Sequence, residues 1–405
     1  MLTVESQLER LRQWAAGATE GVLSLYADVN PAKPENANGA WFKRIDQTLK
    51  HLPEIRDRHG KRDQPLYDQV YALLEAERPH ARTLALFAYR DGHGHLHTER
   101  LDLQVELPVV DLRQGRVEAR YGAPYLTPLW LAVDEYERTG ILLLEGARWR
   151  FFEVFLDEIR EDEELLTGIS RDEWQQLQAF SERITATWRA RSATPGGRCD
   201  KLSLQERTAA RVDAWLHAFY HRLAHLLEQT VERLRIGRLV LIGEHWQTGH
   251  FESYLSRRLQ QQVVSRLPLW PEAHREAIGQ IWRRVEPVLF EVERQQELAL
   301  LNQVQEQPGL WGIDPVLDAL QLGRVRRWIL PWSLDITVWR CPEDGFVAAM
   351  PEIAQVVCAQ PEAVALREHV LELAASYGAE LEFVRGAAAE RLLKEMGGMA
   401  ALLRW

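Results

Sequence analysis

Cysteine is scarce: Cys199, Cys341 and Cys358 are the three in 405 residues. They lie far apart and are odd in number, which argues against a disulfide framework and for a reducing compartment. Long apolar runs are missing. No stretch approaches the length of a membrane span, and Glu5, Glu9, Arg10 and Arg12 interrupt the apolar core a signal peptide needs. The expectation is a soluble, cytoplasmic protein with no membrane partner. Positive charge is in deficit: 49 Lys and Arg against 59 Asp and Glu leave a net charge of −10. Taken alone, that argues against a nucleic-acid partner. A phosphate-binding Gly-rich fingerprint, a G-x-S-x-G elbow and an H-E-x-x-H pair are absent too. An independent nucleotidase, esterase or zinc protease therefore finds little support, and no cofactor is expected.

What is present is a large apolar fraction, 46%, enough for several buried cores in a chain long enough for two or three domains. Residues 3–17 carry Val4, Leu8, Leu11 and Trp14 at helical spacing, and Val22–Tyr26 reads as a strand ending at the Asn30-Pro31 turn. A helix through Phe42, Ile45, Leu49 and Leu52 completes a small α/β unit over 1–78. A second unit, 79–292, opens with the strand Thr83–Tyr89. It continues through the continuous apolar run Gly140–Gly146 and its hairpin partner Ala147–Val154. Val212, Leu216, Phe219, Leu223 and Leu227 then mark one face of a helix of about 30 residues, and Arg238–Gly243 reads as a buried strand. A third unit, 293–405, alternates helices (311–322, 366–377, 387–395) with strands (325–330, 336–340, 379–384) and reads as an α/β sandwich. The fold class is α/β in three domains, with a mixed-sheet middle domain and long helices.

Between two helical segments sits Thr194-Pro-Gly-Gly-Arg-Cys-Asp200. A Gly pair frees the backbone for approaches closed to any residue with a Cβ. Arg189, Arg191, Arg198 and Lys201 surround it, and Ser203-Leu-Gln-Glu206 is a capping-box pattern that starts the next helix. From Arg183 to Arg238 there are eleven Lys/Arg against five Asp/Glu, whereas Glu153–Glu182 holds ten acids and two Arg. A basic stalk with a Gly-Gly tip suits entry into an RNA site. The same run also fits an ordinary loop beside a solvated helix face. Cys199 reads as a small loop residue, because no His stands near it in sequence to activate it.

The order of units resembles the archaeal and eukaryotic class-1 peptide-chain release factor family, in its bacterial release-factor-like branch. Gly140–Gly146 with Ala147–Val154 looks like the paired central strands of that family's middle domain. Thr194–Lys201 stands where the family carries its Gly-Gly-Gln loop. Gly312–Val325 looks like the start of its C-terminal domain, and Gly397–Trp405 like its last strand. The resemblance covers roughly residues 81–405. It implies Gly196, Gly197 and Arg198 at the catalytic position for peptidyl-tRNA hydrolysis in rescue of stalled ribosomes. Arg189, Arg191, Lys201, Arg207 and Arg211 are the candidate RNA contacts. The implied partners are the ribosome and tRNA, with a protein partner for the C-terminal domain. Two departures stand out. Arg198 occupies the place of the family's Gln, and residues 1–78 lack the family's stop-codon-reading signatures. A Gln side chain donates and accepts hydrogen bonds, whereas Arg only donates. A non-catalytic RNA- or ribosome-binding protein of the same architecture is thus the alternative.

His93-Gly-His95-Leu-His97 places three imidazoles at strand spacing, with Asp91 or Glu99 to complete a zinc site. A metal-dependent hydrolase centred there is the weaker alternative. The run equally fits a polar hairpin tip after Asp91-Gly92. His245 and His250 read as flanking a loop after the strand Arg238–Gly243.

Overall fold

The computed structural model describes residues 4–18, 21–52, 64–76, 78–107, 116–146, 148–179 and 204–405. Contacts divide the chain into two units: residues 1–135 together with 294–405, and Tyr136–Glu293.

In the first unit, β1 (Val22–Asp28), β2 (Thr83–Arg90), β3 (Leu96–Leu103) and β4 (Val117–Gly122) form an antiparallel sheet in the order β3-β2-β1-β4. β1 is central, and all seven of its residues are buried. Its alternation sends Leu23, Leu25 and Ala27 to one face. There they pack with Leu84, Leu86 and Ala88 of β2 and with Ile45 and Leu49 of the helix Ala40–His51. The opposite face carries Tyr26, which meets Phe87 and Tyr125 edge-on and donates its hydroxyl to the Tyr125 carbonyl at 2.6 Å. β1 pairs with strands that lie beyond residue 78, so the boundary expected at 78/79 runs through the connectivity of one sheet. Short-range periodicity marks a strand but not its non-local partners.

The second unit holds β5 (Thr139–Glu145), β6 (Arg148–Phe155), β7 (Glu158–Glu161), β8 (Arg238–Gly243) and β9 (Val263–Pro268), in the order β7-β6-β5-β8-β9. β5, β8 and β9 are parallel neighbours, while β6 and β7 add antiparallel. The sheet is therefore mixed, as expected. It is covered on both faces, which is why β5 and β8 read as continuous apolar runs. Leu142, Leu144, Leu239 and Leu241 face the helix Leu204–Leu234 through Leu216, Phe219, Leu223 and Leu227. Ile141, Leu143, Val240 and Ile242 face Ile281, Trp282 and Val285 of the helix Ile278–Glu306.

The C-terminal part of the first unit adds β10 (Gly309–Trp311), β11 (Val325–Pro331), β12 (Thr337–Arg340), β13 (Val347–Ala348), β14 (Glu362–Ala365), β15 (Glu380–Val384) and β16 (Ala400–Leu403). One sheet runs β10-β16-β11-β15 and a smaller one β13-β12-β14. The helix Leu366–Ser376 is followed by Gly378 at φ 63°, the left-handed turn a Gly closes at least cost. Cys341 and Cys358 are joined in a disulfide with Cα atoms 5.8 Å apart. This corrects the expectation of no disulfide drawn from three scattered cysteines. The segment around β13 and the helix Pro351–Val357 folds back on β12 and brings two of them together. No helix among the described residues is long and apolar enough to cross a membrane.

Candidate nucleic-acid interface

Gly196, Gly197, Arg198, Cys199, Arg189, Arg191 and Lys201 lie outside the described residues. What the structure places is the helix that follows them. Arg207 and Arg211 stand four residues apart on the helix Leu204–Leu234, one turn and about 6 Å along its axis. Arg211 is exposed. The opposite stripe is locked to the sheet by aromatic packing around Trp149 of β6. Its ring lies 5.4 Å from Phe219, 6.0 Å from Tyr220 and 6.3 Å from Phe251. Trp215 stacks on Phe219 at 5.1 Å and remains partly exposed. A helix anchored so heavily on one side presents its other side without ambiguity of rotation.

On that other side the sequence reading overlooked a cluster. His217 and His221, four residues apart, have ring centroids 4.6 Å from each other and both are exposed. Tyr254 lies 5.2 Å from His217 and 5.1 Å from His221. Its hydroxyl is 3.0 Å from His217 Nδ1 and 3.4 Å from His250 Nε2. A phenol has one proton to donate, so at least one of these imidazole nitrogens supplies the other hydrogen. Burial holds the His250 imidazole below its ordinary pKa, with Asp213 opposing and His217 reinforcing. Burial, then Asp213, pushes the Tyr254 phenol up. At neutral pH the pair is therefore an uncharged imidazole and an intact phenol. His250 sits on the helix His245–Glu252 rather than beside a loop, which corrects the placement expected for His245 and His250. The i, i+4 spacing of His217 and His221 was the available signal; the approach of Tyr254 and His250, about 30 residues further on, was not readable.

The positive surplus is partly neutralised within the unit. Arg222 bonds Glu173 at 2.8 Å, and Arg233 pairs with Asp162 at 2.8 Å and Glu164 at 3.0 Å. Arg238 pairs with Glu137 at 2.7 Å and with the buried Glu293. Acids of the stretch 153–182 thus pair with Arg222 and Arg233, in the middle and last turn of the helix. Toward the Arg207–His221 end Arg211 is exposed beside Asp213, and the rings of His217, His221 and Tyr254 lie side by side. That combination suits phosphate contact and base stacking.

The imidazoles of His93, His95 and His97 are organised by Asp91. Its Oδ1 accepts the backbone N–H of His93 and of His95, both at 2.9 Å, and its Oδ2 lies 3.1 Å from His97 Nε2. His97 stacks on Tyr89 at 5.0 Å. His93 and His95 precede β3 instead of sharing a strand face, and the β2–β3 pairing makes the run a hairpin tip. Among the described residues no group of three or more His, Cys, Asp or Glu is arranged to hold a metal ion.

Residues 124–285 match the model of bacterial archaeo-eukaryotic release factor family 10. This is the branch that the sequence resembles, and the matched stretch contains β5 to β9, residues 194–201 and the helix Leu204–Leu234. No curated protein matches the chain. Among solved structures, the chain is similar to the Pelota protein of Archaeoglobus fulgidus at 11% identity and a TM-score of 0.31, covering 100% of this chain and 92% of that one. A translation termination-like factor of S. cerevisiae gives 10% identity and a TM-score of 0.39 over 80% and 79%. An archaeal translation termination factor gives 14% and 0.24 over 100% and 99%.

Proposed function

We propose that this chain is a release-factor-like, ribosome-associated protein. In this reading the helix Leu204–Leu234 docks on RNA and the Thr194–Lys201 loop reaches a peptidyl-tRNA on a stalled ribosome. The observation that carries the reading is the family match over 124–285, which takes in both loop and helix. The outward face with Arg211, His217 and His221 supports it. A cytoplasmic setting, tRNA as a contact, and a protein partner for residues 293–405 belong to the same proposal.

Ester hydrolysis at such a loop needs a positioned water and a donor for the developing oxyanion. The backbone N–H of residue 198 survives the exchange of Gln for Arg and supplies that donor. A second reading, docking without hydrolysis, is favoured by Arg198 itself. A guanidinium cannot accept a proton or hydrogen bond from the attacking water, and it binds phosphate well.

Release of peptide from stalled ribosomes by the parent, Arg198→Gln and Gly197→Val separates the two. If the backbone N–H carries the chemistry, Arg198→Gln stays near the parent rate and Gly197→Val fails, because its branched Cβ obstructs the approach. If Gln is required, only Arg198→Gln releases. Firm ribosome binding with no release from any variant leaves the docking reading.

A further inference from the structure

The first unit contains a cavity of about 590 Å³ that no part of the ribosome reading uses. It lies between the end of the helix Ala40–His51, the end of β4 and the start of the helix Leu366–Ser376. Its volume falls in the range of ordinary small-ligand sites.

The guanidinium of Arg120 is the central feature. It lies over the Tyr125 ring, 4.2 Å from the centroid. Its edge is held by Glu118 through Nε at 3.0 Å and Nη2 at 2.8 Å, and by Glu368 through Nη1. Tyr125 and Glu118 are themselves buried, so the plane is fixed from beneath and from the side. Arg120 stays partly open and lines the cavity, as do Tyr121, His51, Glu368 and His369. His51 Nδ1 is 2.7 Å from the Gln47 carbonyl, which can only accept. That bond places the proton on Nδ1 and leaves Nε2 as an acceptor in the neutral ring.

Three chemical consequences select a ligand class. A guanidinium plane stacked on one side is a platform for a second flat ring on the other. Arg120 is already matched by two carboxylates, so it offers no spare positive charge to a phosphate or carboxylate group. Acceptors on Glu368 and His51 line the same space, which suits a ring edge carrying N–H groups. We propose that this cavity binds a nucleobase, stacked on Arg120 and read along its edge by Glu368 and His51. The base is supplied either by a free nucleoside or by an unpaired position of single-stranded RNA, and its phosphate stays outside.

The test is calorimetric titration of the full chain with guanosine, adenosine, cytidine and uridine, and in parallel with short single-stranded RNA of each base. Ribosomes are not needed, so this outcome is independent of the proposed docking. The expected result is saturable binding of at least one base, as nucleoside or in the oligonucleotide, tighter than about 1 mM. Binding by the nucleoside identifies a free ligand, and binding by the oligonucleotide alone identifies RNA as the source. Arg120→Lys keeps the charge but loses the plane and should weaken binding at least about fivefold. Ala123→Trp fills the mouth from an exposed position, costs the fold little, and should abolish binding. Unchanged melting temperature shows that each variant is folded. No saturable binding to any base, or equal binding by parent and Ala123→Trp, overturns the proposal.

Discussion

Gly140→Ala tests how tightly the sheet of the second unit is packed around β5. A Cβ built at Gly140 meets Leu239 Cδ2 at 2.9 Å and Phe151 Cζ at 3.0 Å. Both neighbours are fully buried, Leu239 on β8 and Phe151 on β6, so β5 is wedged between the strands it pairs with. Each contact falls short of an ordinary carbon–carbon approach by several tenths of an ångström, and neither side chain can move into solvent. Overpacking of this kind costs about 1–3 kcal/mol. Phe151→Leu removes ring atoms from the contact and costs about 1–2 kcal/mol alone, less than full truncation to Ala. The double variant should then be more stable than the sum of the single costs by about 1 kcal/mol, because the smaller side chain makes room for the new methyl group. Urea denaturation of the full chain measures the differences. Hydrogen exchange in β5 confirms that the loss is local. A neutral Gly140→Ala, or singles that add within about 0.5 kcal/mol, refutes the wedge.

Asp28 accepts hydrogen bonds from the Asn30 N–H at 3.1 Å, Asn36 Nδ2 at 2.9 Å and Lys33 Nζ at 2.9 Å. Burial raises its pKa, but the bonds from Lys33, Asn36 and Asn30 outweigh that and hold it below the usual carboxylate value. Asp28→Asn should therefore cost about 1–3 kcal/mol near pH 7. The deficit should be full above the unfolded carboxyl value of about 3.9 and shrink as pH falls below it; a pH-independent deficit in thermal melts contradicts the assignment. Arg207→Glu with Arg211→Glu should weaken ribosome co-sedimentation and flatten its salt dependence by about two phosphate contacts, with little change in melting temperature. An unchanged salt slope counts against RNA docking by this helix. Cys358→Ser should cost about 2–3 kcal/mol, because the Cys341–Cys358 bond closes a separation of 17 residues. The variant should match the reduced parent in thermal melts; an oxidised parent with the same melting temperature as the variant refutes the pairing.

The chemistry of the candidate interface depends on features of different range. Gly196-Gly197-Arg198 and their basic flanks are legible as adjacent residues, and the capping pattern before Leu204 announces the helix. The helix's buried stripe is equally legible, since a period of 3.6 must face one way. His217, His221, His250 and Tyr254 could not be grouped from spacing alone. Two of them arrive with the segment after β8, whose direction is set by the parallel pairing of β8 with β5 and β9. Charge misled for the same reason: the acids of 153–182 and the bases of 183–238 look segregated along the chain, yet Arg222 and Arg233 meet Glu173, Asp162 and Glu164.

Local periodicity and turn chemistry by themselves determined strands at 22–26, 83–89 and 140–146, the hairpin of 140–146 with 147–154, and one long helix, which the structure places at Val22–Asp28, Thr83–Arg90, Thr139–Glu145 with Arg148–Phe155, and Leu204–Leu234. Those elements follow from backbone geometry and from which face must leave water, both readable within about ten residues. Only the tertiary structure decided that β1 joins β2, β3 and β4 in one sheet, that Cys341 finds Cys358, and that Arg120 is clamped between Glu118 and Glu368 over Tyr125. Each of these joins residues distant in the chain, Arg120 and Glu368 being 248 positions apart. Such contacts are selected by the packing of whole layers, a free energy that no short window of sequence contains.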